Sequence, residues 1–155
     1  KLSYFYLFSV QRLGLTLDIL NKIILTPLKK IHNSKGGIFH AMKKSDKGFS
    51  GFGEAYFSTV NNNEIKGWKK HTKMTLNLVV VTGEIEFVVY DGDDFFNVKL
   101  SKNNYQRLTV GPNLWLAFRG LDNENMLLNL ASIEHDPNES ENVDLDFFNY
   151  SWDEL

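Results

Sequence analysis

Residues 75–90 read TLNLVVVTGEIEFVVY. Two β-branched, apolar runs flank Thr82-Gly83, and this pattern predicts two strands joined by a hairpin turn. Working outward, further short apolar runs cover residues 97–100, 106–110, 114–118 and 126–131. Turn-forming stretches separate them at 91–94, 102–104, 111–113 and 120–125. On the N-terminal side, residues 23–31, 37–41 and 53–60 add strands at similar spacing. Many short strands with hardly a helix among them predict an all-β sandwich or barrel. The exception is a weak amphipathic pattern over residues 13–25, where Leu13, Leu17 and Leu20 fall roughly in phase.

The chain has 155 residues, a length that fits one domain with one sizeable core. It divides into an N-terminal extension, residues 1–22, and a β domain, residues 23–155. The extension opens on the apolar run LSYFYLFSV at residues 2–10. That run is much shorter than the ~20 residues that cross a bilayer, and it lacks the basic leader and cleavage site of a secretory signal. No membrane association is expected, and a packed segment or an extension from upstream is the preferred reading. Cysteine is absent, which excludes disulfides, thiolate metal sites and a cysteine nucleophile, and fits a cytoplasmic location.

Charge is unevenly spread. All 17 Lys and Arg precede residue 134, while eight of the 19 Asp and Glu lie from Glu134 onward. The body therefore carries +6 and the last 22 residues −8, for a net −2. A net negative chain argues against a general nucleic-acid binder. Phe147, Phe148, Tyr150 and Trp152 interleave with the acids of the tail, so the tail is expected to pack on the domain.

Chemistry concentrates at residues 66–73, KGWKKHTK. Strand alternation puts Lys69, His71 and Lys73 on one face and Lys66, Trp68 and Lys70 on the other. Converging cations inside a barrel would call for an anionic ligand such as a diphosphate or a developing enolate. An exposed edge strand carrying protective lysines accounts for the same spacing equally well. Arg107 and Arg119 are the arginines of the β region, and a guanidinium suits phosphate. No nucleophile elbow Gly-x-Ser-x-Gly is present.

The segments KGWKKHTKMTLNLVVVTGEIEFVVYD, YQRLTVGPNLWLAFRGL and MLLNLASIEHDPNES, with a closing YSW, resemble the sugar-nucleotide cupins. The likeness is to the dTDP-4-dehydrorhamnose 3,5-epimerases and, more distantly, to the dTDP-sugar 3,4-ketoisomerases, over residues 23–152. It implies a cupin-type double-stranded jelly roll and a homodimer. It also implies an isomerase or epimerase of surface-polysaccharide biosynthesis, acting on a nucleotide-linked 4-keto-6-deoxy sugar without metal or other cofactor. In that chemistry a histidine removes the proton next to the ketone, cations steady the enolate oxygen, and a tyrosine reprotonates carbon.

Carried over by position, the epimerase Arg-Gly-Leu-His becomes Lys66-Gly67-Trp68-Lys69, so Lys69 stands where the base histidine would be. His71 matches a second histidine of the ketoisomerases. The catalytic tyrosine falls near Asn129, which cannot serve as a comparable acid and is expected to bind substrate instead, and a later cupin histidine falls at Leu116. The supporting carboxylate of the epimerases comes from beyond the closing tryptophan, so none is expected here. His71 is the preferred base and Lys69 the second candidate. Lys66, Lys73 and Arg107 would bind diphosphate or polarise the ketone, and Glu54 would orient a cation. Trp68, Tyr56 or Trp115 would stack on base or sugar. The missing base, acid and carboxylate also fit a non-catalytic cupin that binds a sugar nucleotide or glycan, or a purely structural dimer subunit.

Overall fold

The computed structural model describes residues 22–153. The extension, apart from Lys22, and most of the helix read at 13–25 lie outside the described residues. The end of that stretch is instead a strand, β1 (Ile23–Pro27). The single strand expected over 23–31 breaks after Pro27, leaving β2 (Lys30–Ile31) to pair with β3 (Ile38–Phe39) as a separate small hairpin. There follow β4 (Glu54–Asn61), β5 (Ile65–His71), β6 (Leu76–Thr82), β7 (Glu84–Tyr90), β8 (Phe95–Ser101) and β9 (Gln106–Val110). The chain ends with β10 (Trp115–Gly120), β11 (Glu124–Ala131), a 3-10 turn at Pro137–Glu139 and β12 (Ser140–Asn142).

The strands form two five-stranded antiparallel sheets, ordered β1-β9-β6-β11-β4 and β12-β5-β10-β7-β8. Packed face to face, they make the double-stranded jelly roll. The hairpin expected at Thr82-Gly83 does not form. β6 lies between β9 and β11 in the first sheet, and β7 lies between β10 and β8 in the second. The stretch is a corner at which the chain changes sheets. Gly83 makes the corner possible: its φ is +74°, and a Cβ there would sit 2.2 Å from the carbonyl oxygen of Glu124. Both runs read as nearly continuous apolar sequence because each is an inner strand of its own sheet, covered on both faces.

The inner faces meet in one core that includes Leu78, Val80, Ile85, Phe87, Val89, Leu108, Leu116 and Leu127. A second apolar cluster lies on the outer face of the β12-β5-β10-β7-β8 sheet. Trp68, Val88 and Ala117 are fully buried there beneath Phe148, Tyr150 and Trp152 of the acidic tail. The Trp68 ring meets Phe148 and Tyr150 edge-on, with centroids 5.5 and 6.3 Å away. The tail thus covers an apolar sheet face, while Glu141, Asp144, Asp146 and Asp153 stay exposed. Among the described residues, no helix is long and apolar enough to cross a membrane.

Candidate active site

A cavity of about 320 Å³ opens between the sheets. Its apolar floor is built from core residues such as Leu76, Leu78, Leu116 and Leu127. Its polar groups come from both walls: Lys66, Lys69 and His71 of β5 and Asn142 of β12 on one side, Tyr56 and Ser58 of β4 and Asn129 of β11 on the other. Two lysines and a histidine line it, and among the described residues no carboxylate does. Such a cavity favours an anionic occupant.

Simple alternation accounts for Lys69 and His71 facing the cavity, but it puts Lys66 on the wrong side. The register explains the difference. Leu116 of β10 pairs with Lys69, yet Phe118 pairs with Lys66, so Gly67 and Trp68 together oppose Ala117 alone. This bulge inserts one residue into β5 and returns Lys66 to the cavity face. Only glycine fits at its hinge: Gly67 has φ +134°, and a Cβ would lie 2.7 Å from both Ala117 Cα and the Leu116 carbonyl oxygen. Lys66 Nζ donates to Ser58 Oγ at 3.0 Å and to the Thr59 carbonyl at 3.2 Å, which fixes the ammonium against β4.

His71 is held by a carboxylate that the sequence comparison did not anticipate. Its Nδ1 donates to Oε1 of Glu139, leaving Nε2 as the nitrogen available to the cavity. Glu139 is buried, and its Oε2 accepts the backbone N–H groups of Lys73 at 3.0 Å and Met74 at 3.2 Å. Burial pushes the Glu139 carboxyl up, but the bonds from His71, Lys73 and Met74 outweigh it and hold the group below its ordinary value. Glu139 is therefore ionised and acceptor-only, and it selects the tautomer of His71 with the proton on Nδ1. The residue sits in His135-Asp-Pro-Asn-Glu-Ser, in the acidic tail expected to pack on the domain through its aromatic residues. Its signal was local: Asp136 caps a one-turn helix by accepting from Asn138 N at 2.9 Å, with Pro137 in the first turn. That turn aims Glu139 inward.

On the facing wall, Asn129 is buried and its Nδ2 donates to the Tyr56 hydroxyl at 3.0 Å. Its Oδ1 accepts the backbone N–H of Asn77 at 3.3 Å. The two residues are cross-strand partners in β4 and β11.

Five expected site residues lie elsewhere. Lys73 follows the end of β5 and its side chain is exposed, because the chain has already turned to meet Glu139. Trp68 points to the outer face and is buried under the tail, its Nε1 donating to the Leu145 carbonyl at 3.3 Å. Glu54 opens β4 and lies outside the cavity. Arg107 faces away from the cavity, on the outer side of the β1-β9-β6-β11-β4 sheet. There its fully buried guanidinium donates to Asn77 Oδ1, the Ala41 and Lys47 carbonyls, Asp46 Oδ2 at 3.0 Å and Thr26 Oγ1. It pins the loop that precedes β4 rather than meeting a ligand. Asp46 is held below its ordinary value, first by the Lys43 backbone N–H and then by Arg107, against the opposing effect of burial. Trp115 lies in the outer cluster, where Lys70 Nζ stands 4.8 Å from its ring centroid. Among the described residues no group of three His, Asp or Glu is placed to hold a metal ion.

The family described as FdtA: WxcM-like, C-terminal matches residues 21–151. The chain belongs to that family. A dTDP sugar isomerase from Desulfovibrio desulfuricans G20 is 32% identical, with a TM-score of 0.80 over 86% of this chain and 92% of the other. The 3,4-ketoisomerase QdtA from Thermoanaerobacterium thermosaccharolyticum, solved as a mutant with TDP-4-keto-6-deoxyglucose, shares the fold. It has 22% identity and a TM-score of 0.70, over 77% of this chain and 86% of that one. NovW, a 4-keto-6-deoxy sugar epimerase from Streptomyces spheroides, is also similar in fold, with 15% identity and a TM-score of 0.72, over 83% and 71% of the two chains. No curated protein sequence matches significantly. This WxcM-like chain thus has its cavity inside the same jelly roll as the sugar isomerases and epimerases.

Proposed function

We propose that the chain is an isomerase or epimerase of a nucleotide-linked 4-keto-6-deoxy sugar, working by proton abstraction next to the ketone. The observation that carries this reading is His71, tied through Nδ1 to the buried Glu139 and lining a cavity that also holds Lys66 and Lys69. His71 Nε2 takes the proton from the carbon beside the ketone, and Glu139 stabilises the imidazolium that forms. The ammonium groups of Lys66 and Lys69 meet the negative charge that builds on the ketone oxygen, in a site whose floor is apolar. Lys69 serves as a cation beside the base, and Asn129 as a substrate-side polar group. Similarity to a dTDP sugar isomerase supports a dTDP-linked substrate.

The protein acts as a homodimer in the cytoplasm, in the synthesis of a surface polysaccharide, the setting implied by the sugar-nucleotide cupins it resembles. The test is incubation with TDP-4-keto-6-deoxyglucose and NMR of the sugar. A new keto-sugar isomer or epimer is expected. Thermal stabilisation by dTDP with the sugar recovered unchanged would make the chain a binding module instead.

A further inference from the structure

At the bulge β5 loses its regular partner. Gly67 and Trp68 together oppose Ala117, so β10 does not hold Trp68 in an ordinary ladder. The acidic tail holds it instead. After Glu139 bonds His71 and β12 pairs with residues 69–71, the chain runs on along β5 toward the bulge. There the Val143 N–H donates to the Trp68 carbonyl at 3.2 Å, and Trp68 Nε1 donates to the Leu145 carbonyl at 3.3 Å. Phe148, Tyr150 and Trp152 then close over the indole, with ring centroids 5.5, 6.3 and 6.2 Å away. Trp68 is left with no exposed surface. Lys66 and Lys69 flank it in sequence but line the cavity on the other side of the sheet. The far end of the tail docks less well. Trp152 Nε1 is buried with no partner among the described residues, and so is Oε1 of Glu86, whose other oxygen holds the Arg119 guanidinium beside the Trp152 ring.

From this geometry we infer that Trp68 is a positioning residue for the cavity: the tail, residues 143–153, clamps it from outside and thereby fixes where Lys66 and Lys69 stand inside. In Lys66-Gly67-Trp68-Lys69 the indole is separated from one lysine by a single glycine and from the other by nothing. A shift or turn of Trp68 therefore carries both ammonium groups with it. The bulge is also where β5 moves most easily, since its extra residue lacks a ladder partner. Linkage supplies the converse. An anion bound by both lysines favours the arrangement that the docked tail maintains, so cavity ligand and tail docking strengthen each other. The outer sheet face thus sets the affinity of the site, although among the described residues nothing in the tail beyond Asn142 lines the cavity. This rests on the proposed function in taking dTDP as a ligand of the cavity.

All three tryptophans, Trp68, Trp115 and Trp152, belong to the outer cluster and none lines the cavity. Intrinsic fluorescence of the full chain therefore reports the clamp from the side away from the ligand. Phe148→Ala removes the ring that packs on both Trp68 and Trp115. It is expected to raise acrylamide quenching and to weaken dTDP about tenfold, within the usual range of coupling between two sites. Saturating dTDP should bring the quenching of this variant back toward the wild-type level. Its KM for TDP-4-keto-6-deoxyglucose should rise about tenfold while kcat stays within about threefold, because His71 keeps Glu139. Val79→Ala removes buried apolar contact on the outward side of the other sheet. It should lower stability without changing dTDP affinity, which separates positioning from general destabilisation. Trp68→Phe keeps a ring but loses the bond to Leu145, and it should raise KM by less; it decides the matter if Phe148→Ala does not fold. Wild-type dTDP affinity in the tail variants overturns the clamp. So does an equal loss of affinity in Val79→Ala, or quenching in Phe148→Ala that dTDP leaves unchanged; each of these leaves the isomerase reading standing. A wild type that does not bind dTDP overturns the nucleotide-sugar reading and the coupling together.

Discussion

At His71 the decisive feature is which nitrogen is left free. A neutral imidazole can carry its proton on either nitrogen, but the Glu139 carboxylate accepts from Nδ1 and so leaves Nε2 to act as base. Glu139→Gln keeps the volume and loses the charge. The amide oxygen can still accept from Nδ1–H, but the neutral amide stabilises an imidazolium less, and its NH₂ group then faces the Lys73 and Met74 N–H groups and cannot accept from them. The expected outcome is a kcat about 10²-fold lower with KM little changed. The unmet backbone donors should also cost about 1–3 kcal/mol in denaturant unfolding. Wild-type turnover in this variant would remove the carboxylate from the mechanism. His71 and Lys69 were readable from spacing and from the likeness to the sugar-nucleotide cupins. Glu139 was not, because it lies 68 residues from His71 in sequence and in a tail whose packing was read from its aromatic residues, not from its carboxylates.

Strand β5 shows where period-two reading stops working. Alternation placed Lys69 and His71 together because they share an unbroken segment, and it misplaced Lys66 because the bulge at Gly67 lies between. The consequence can be measured. Gly67→Ala puts a methyl group 2.7 Å from Ala117 and the Leu116 carbonyl at a φ that side chains disfavour. It should lower stability by roughly 1–3 kcal/mol. It should also weaken dTDP-sugar turnover by moving Lys66, seen as a higher KM. Unchanged stability and kinetics would show that the bulge does not position the lysine. The stretch at 75–90 fails for a related reason. Its strands were legible from β-branched apolar runs, but the partners were not, since a corner at one glycine and a hairpin at two residues look alike. Arg107 likewise matched a phosphate ligand by residue type, whereas its place on the outward side of β9 buries it in a loop anchor.

Across the whole chain, the near-neutral total separates into a basic β body and an acidic aromatic tail laid over the outer sheet face. All-β character and the jelly roll were legible in the regular strands and in the family likeness. The choice of cavity was not, because it depends on which strands pair. Acid stability follows from two anchors. Asp46 and Glu139 are both held below their ordinary values of 3.8 and 4.5. A lowered native value means that the unfolded chain binds more protons, so their contribution is complete above the unfolded values. It is lost as pH falls through the native ones. Tm should therefore be insensitive to these groups above about pH 5 and drop below it. Glu139→Gln should shrink the drop, and a drop of the same size in that variant would contradict the assignment.

The central claim is that His71 removes a carbon-bound proton beside a ketone. Its most direct measurement is deuterium uptake from solvent into TDP-4-keto-6-deoxyglucose by the wild type and by His71→Asn. The account predicts uptake at a carbon adjacent to the ketone in the wild type. It predicts none above background in His71→Asn, although dTDP still stabilises that variant against heat. Equal uptake by both proteins, or none by a wild type that binds dTDP, would contradict it.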